Sequence, residues 1–246
     1  YSLRNGQDYV LKADLGKMRT KERLQWIIQR LHEVYPNAHC ELDFETPFQL
    51  LVATILSAQC TDKRVNIVTR DLFPKYPTAY ELAAVSQEEL ELAIKTAGFY
   101  RSKAKNLRAM AKDLVEKHQG KVPPLMEELT QLAGVGRKTA NVVLGNAFSI
   151  AEGIVVDTHV TRLAKRFDLT KAEAPEKIEA DLMGLVPRSE WTVFSHLLIW
   201  HGRRRCYARN PDCVNCEIGT ICPSYGKFVK NAGSTPKSVS RKKAIA

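Results

Sequence analysis

The nine residues 132–140, Leu-Ala-Gly-Val-Gly-Arg-Lys-Thr-Ala, constrain this chain more than any other stretch. An apolar segment ends in Gly134 and Gly136, and a helix-forming run over 138–148 starts at once. Glycine reaches backbone angles barred to other residues, so a tight turn with outward N–H groups is expected. Those groups and the free N–H groups opening the next helix converge on a position that suits a phosphate. Pro124 predicts a preceding helix over 125–132, so Gly134, Val135 and Gly136 form the turn of a helix-hairpin-helix that grips a nucleic-acid backbone. Lys138 falls in the first turn of the second helix, where the positive end of the macrodipole favours a neutral amine. A neutral amine is what Schiff-base chemistry needs. The apolar run before Asp157 ends in that carboxylate where another helix begins, followed by Thr158 and His159. By position alone, Lys138 reads as a surface charge and Asp157 as an N-cap.

The rest of the chain is patterned for helices. Leu24, Ile27, Ile28, Leu31 and Val34 recur at helical spacing, and Thr46-Pro47 opens a helix over 48–57 that is apolar almost all round. Further helices are expected over 64–72, 81–85, 87–96, 104–118, 160–167, 176–185 and 191–202, with Ser86 and Glu89 forming a capping box. No apolar run is long enough to span a bilayer, and no secretory signal is apparent, which predicts a cytoplasmic protein without a membrane partner. The surplus of basic over acidic residues gives a net charge of +10, suited to a polyanionic partner and salt-dependent binding. Residues 1–18 read as an N-terminal extension or expression remnant, and 231–246 as a flexible basic tail.

Four of the six cysteines are crowded into Cys206-x6-Cys213-x2-Cys216-x5-Cys222. Thiols this close either bridge or bind a metal, and disulfides are disfavoured without a secretion signal and with Cys40 and Cys60 left over. Four thiolates suit tetrahedral zinc or a four-iron, four-sulfur cluster equally well on charge.

Together, LAGVGRKTANVVL followed by VDTH, the segment Leu56-Ser57-Ala58-Gln59-Cys60-Thr61-Asp62, the segment Gly98-Phe99-Tyr100-Arg101-Ser102-Lys103-Ala104 and the cysteine spacing resemble the endonuclease III branch of the helix-hairpin-helix DNA glycosylases. The resemblance covers nearly all of residues 20–225 and departs at Ala133, where the family usually has proline. It implies an all-α fold of two helical domains with DNA in the cleft between them. One domain is residues 41–150 with the helix-hairpin-helix, and the other combines 19–40 with 151–230 and the iron–sulfur loop. It implies that Lys138 attacks the sugar C1′ of a damaged nucleoside with Asp157 as acidic partner. Gln59 enters the gap left by the extruded nucleotide, and Phe99 wedges into the base stack. His159 orients Asp157, faces a phosphate or is a plain surface histidine. Cys206, Cys213, Cys216 and Cys222 hold a 4Fe-4S cluster, which displays Arg203, Arg204, Arg205 and Arg209 toward phosphates. Arg101, Lys103 and Lys105 form a solvated helix face.

The activity implied is removal of oxidised pyrimidines from double-stranded DNA, with a nick 3′ to the abasic site, by a monomer associated with the nucleoid. The alternative is a non-catalytic DNA-binding protein with the same hairpin and a structural four-cysteine metal site.

Overall fold

The computed structural model describes residues 19–232. The predicted extension 1–18 lies outside them, as does the predicted tail from 233 onward. Among the described residues there are twelve α-helices, short 3-10 turns and no strand, an all-α fold as expected. No helix among them is long and apolar enough to cross a membrane.

The first core is built on α2 (Pro47–Leu56). Thr46 accepts a hydrogen bond from the Gln49 N–H at 3.2 Å and Pro47 fixes the first turn, so the helix starts where the sequence predicts. Every residue from Leu50 to Leu56 is buried. Around it pack α3 (Asp62–Leu72), α4 (Ala79–Ala84), α5 (Gln87–Ala93), α6 (Tyr100–His118), α7 (Met126–Leu129) and α8 (Arg137–Ala147), sharing a core that runs from Leu42 to Leu144.

The second core joins the two ends of the described chain. Leu24, Ile27 and Leu31 of α1 (Thr20–Val34) meet Leu163 of α9 (Thr158–Arg166), Leu182 of α10 (Pro175–Leu185) and Phe194 of α11 (Trp191–Arg204). The final helix, α12 (Tyr225–Ala232), includes the first two residues assigned to the tail. The chain therefore crosses between the cores twice, once after α1 and once after α8.

Polar contacts stitch the cores together. Arg137 of α8 donates twice to Glu179 of α10, at 2.9 and 3.1 Å, and Asn141 donates to the same carboxylate at 2.8 Å. His196 of α11 meets Asn146 of α8 at 2.7 Å. Arg203 of α11 pairs with Asp62 of α3 at 2.7 Å and also with Glu41.

Three elements differ from expectation for local reasons. The capping box forms at Thr78 and Glu81 rather than at Ser86, because the Glu89 carboxylate instead accepts from the Tyr76 hydroxyl at 2.6 Å. The helix predicted over 125–132 is the single turn α7, after which Gln131, Leu132 and Val135 make tighter i→i+3 bonds. α6 begins at Tyr100, four residues earlier than predicted, since Gly98 and Phe99 both take positive φ (68° and 48°) and turn the chain straight into the helix.

Candidate active site

A groove of about 1800 Å³ receives side chains from both cores. Lys138, Asp157, His159, Gln59 and Arg203 all line it. The expected lysine and carboxylate thus share one cleft.

Each is placed by its helix start. Gly134 takes φ +77°, and a Cβ there would meet Asn106 of α6 at 3.0 Å, so both conformation and closeness require glycine. Gly136 does not follow the expectation. Its φ is −94° and a Cβ would meet nothing within 4 Å, because it is the extended N-cap of α8. What its bare backbone leaves is open space beside the first N–H groups of the helix. Val135 is buried and holds the turn against the first core. Lys138, second residue of α8, is exposed, and among the described residues its ammonium makes no ion pair.

Asp157 is the N-cap of α9: its Oδ1 accepts from the Val160 N–H at 2.8 Å. The bond fixes the half-buried carboxylate at the groove wall, and Oδ2 has no hydrogen-bond partner among the described residues. The N-cap and the groove roles are compatible because a carboxylate has two oxygens.

His159 does not orient Asp157. Its Nδ1 lies 3.0 Å from the Arg162 guanidinium, not against the Asp157 carboxylate. Burial lowers the pKa of this imidazole against the opposing pull of Asp157.

Gln59 and Phe99 occupy the two loops between α2 and α3 and before α6. Both are exposed and both adopt left-handed backbone, φ 52° and 48°. That is uncommon for any side chain and an outlier for one as bulky as phenylalanine. Gln59 lines the groove, whereas Phe99, 66% exposed, stands outside the lining set.

Two basic patches predicted from sequence are corrected in part: Arg101 and Lys105 are exposed as expected, but Lys103 is not. Lys103 is buried, only 4% exposed, and its Nζ donates to the carbonyls of Leu56 and Ala97, each at 2.8 Å. Arg203, Arg204 and Arg205 are tied to carboxylates rather than free to meet phosphates, although Arg204 stays exposed. Arg203 is held by Glu41 and Asp62, while Arg204 bonds Glu41 at 2.6 Å and lies 4.0 Å over the Trp200 ring. Arg205 clamps Asp212 and Glu217, both at 2.7 Å. Burial raises the Glu41 pKa, but its bonds to Arg204 and Arg203 prevail and hold it below the usual carboxylate range. Arg209 alone of the four is exposed without such a partner among the described residues.

The four clustered cysteines form no disulfide and line one small cavity with Phe167, His201 and Tyr225. The Arg166 guanidinium lies 3.0 Å from the Cys206 Sγ, and the His201 Nε2 lies 3.6 Å from the Cys216 Sγ. Burial pushes the Cys216 thiol up to about 12 and the Cys222 thiol up to about 11. Buried thiols of this kind become thiolates when a metal supplies the compensating charge. Among the described residues no three donors close on a single ion. Four cysteine sulfurs around one cavity are a donor set that suits a bound metal group.

Comparison with known proteins gives consistent matches. The model of the HhH-GPD superfamily base excision DNA repair protein matches residues 52–188. Endonuclease III of Synechocystis sp. is 53% identical over 211 residues, 85% of this chain and 96% of that protein. A non-covalent endonuclease III–DNA complex superposes with TM-score 0.82 at 42% identity, covering 87% of this chain and 100% of that one. A trapped endonuclease III–DNA covalent intermediate does so with TM-score 0.82 at 42% identity, covering 86% of this chain and 100% of that one.

Proposed function

Since the chain belongs to the HhH-GPD superfamily of base excision DNA repair proteins, and within it to the endonuclease III family, we propose that Lys138 and Asp157 perform its glycosylase and abasic-site lyase chemistry. The observation that carries this reading is the entry of both side chains, from opposite cores, into one groove. A protein that only clings to DNA needs neither group there.

The two cores act as two domains, residues 41–150 on one side and 19–40 with 151–230 on the other, and duplex DNA lies across the cleft. The hairpin turn at Gly134, Val135 and Gly136 holds a backbone phosphate on its N–H groups. Gln59 and Phe99 open the stack, and the damaged nucleotide turns out into the groove. The Lys138 amine attacks C1′. The glycosidic C–N bond breaks, and its electron pair leaves with the base, which takes up a proton. Opening of the sugar ring then yields the protonated Schiff base. Asp157, through its free Oδ2, accepts the proton that Lys138 must lose or steadies positive charge on the sugar. Loss of a C2′ proton expels the 3′ phosphate, nicking the strand, and water releases the lysine from the imine. His159 faces the DNA backbone. The substrates are oxidised pyrimidines and abasic sites in duplex DNA, handled by a monomer.

Cys206, Cys213, Cys216 and Cys222 hold a 4Fe-4S cluster, which when bound supplies four metal–thiolate bonds that close the loop on itself. In this chain's own residues, the loop is further fixed by Arg205 on Asp212 and Glu217.

Replacing Lys138 by glutamine tests the reading. The variant is expected to bind an abasic duplex yet to form no borohydride-dependent cross-link, while the unaltered protein forms it. Cross-linking undiminished in Lys138→Gln removes the lysine from the mechanism.

A further inference from the structure

Lys103 carries an ammonium into the first core, in register with Leu107, Met110 and Leu114 on the buried face of α6. Its two acceptors are not arbitrary carbonyls. Leu56 is the last residue of α2, three residues before Gln59, and Ala97 ends the 3-10 turn two residues before Phe99. Both are helix-end carbonyls without an onward helical partner, where a cation is electrostatically welcome. The two oxygens are thus held within two hydrogen-bond lengths of each other, and the roots of the two loops are adjacent. Beyond each root the chain enters left-handed backbone, at Gln59 and at Phe99. Such conformations persist only where the surroundings over-determine them. Burial lowers the Lys103 pKa, so the buried ammonium is held against a desolvation cost. An apolar side chain of similar length would fill the same space without that cost, but would leave both carbonyls unpaired.

Resting on the reading of Gln59 and Phe99 as the residues that open the stack, we propose that Lys103 is a positioning residue that ties the roots of both loops with one ammonium, so that the two side chains enter DNA as a fixed pair. It touches neither substrate nor reacting atoms. Its contribution belongs to the step in which stacked bases are parted and not to bond-making at C1′.

The test compares two substrates under single turnover. One is a duplex with a single thymine glycol, scored for base release. The other is a single strand with one abasic site, scored for strand cleavage and borohydride trapping, where no stack has to be opened. Lys103→Met is expected to slow release from the duplex about 100-fold, the scale of a small misplacement of catalytic geometry, while changing cleavage of the single strand less than about threefold. Introduced into a Gln59→Ala/Phe99→Ala background, the same change should slow duplex release by less than about threefold, since the side chains it positions are already gone. Equal losses on both substrates, a full loss in the double-alanine background, or no loss at all would each overturn the proposal. If Lys103→Met does not fold, Lys103→Arg is read in the same way. Its wider guanidinium should cost about tenfold on the duplex alone, and a duplex rate equal to that of the unaltered protein overturns the role. A parent protein that neither releases the base nor cross-links sinks the enzyme reading as well. A fully active parent beside an unimpaired Lys103→Met sinks only the assignment of Lys103.

Discussion

His196 sits in α11 with its Nε2 against Asn146, buried between the cores, and burial lowers its pKa to about 4. In the unfolded chain it titrates near the ordinary value, so as pH falls below about 6.5 the unfolded state takes up the proton first. The stability due to neutral His196 is present above 6.5 and is lost as pH falls to about 4. The loss should approach the order of 3 kcal/mol. Denaturant melts at pH 7 and pH 4.5 should show a shallower decline for His196→Gln, whose amide can still meet Asn146. Identical declines would mean the imidazole is not the group responsible. The sequence discloses residues of this kind poorly. Lys138 and Asp157 stand out because glycines and a helix start give them a fixed address. Lys103 was hidden between Arg101 and Lys105, a pattern that reads as a wet face, although its spacing to Leu107, Met110 and Leu114 places it in the apolar stripe. His159 adjoins Asp157 in sequence, which suggests contact between them. On a helix, neighbours three apart face one another and those two apart do not, so its partner is Arg162.

The hairpin between α7 and α8 joins two glycines that look alike in sequence and differ in the fold. Gly134 lies at φ +77° with Asn106 against it, whereas Gly136 is extended with free space around its Cα. Gly134→Ala should destabilise the protein by about 1–3 kcal/mol, the usual cost of a strained left-handed residue, and lower the melting temperature measurably. Gly136→Ala should leave the melting temperature nearly unchanged but weaken binding to an abasic duplex, because the added methyl occupies the approach to the helix N–H groups. Equal thermal effects of the two changes would refute the distinction. Helix existence was legible wherever stripes such as Leu24, Ile27, Ile28 and Leu31 leave little choice, but not at α12, which no such stripe announces. Ends were less so. Glu89 could have capped α5, but a tyrosine thirteen residues earlier claims it, and only tertiary structure brings that tyrosine near.

The net charge of +10 belongs to the whole molecule, yet its local distribution decides what binds DNA. Arg205 is committed to Asp212 and Glu217, so it adds little to a phosphate field. Affinity for an abasic duplex should fall steeply with salt, at about 0.9 in logarithmic slope per phosphate neutralised. Arg205→Gln should leave that slope unchanged while lowering thermal stability. A slope reduced by about one phosphate would show that Arg205 meets the backbone after all. The helical class of the fold was plain from the residues themselves, but the closing of the second core came only from the resemblance, because it depends on contacts such as Tyr35 with His201, 166 residues apart. That separation governs the order of assembly during synthesis. The α2 core is contiguous and is complete once α8 has emerged from the ribosome. The amphipathic α1, made before the α2 core, must wait with its greasy side uncovered until the last third of this sequence is translated. The earliest of the described helices to be born is among the last to be sheltered.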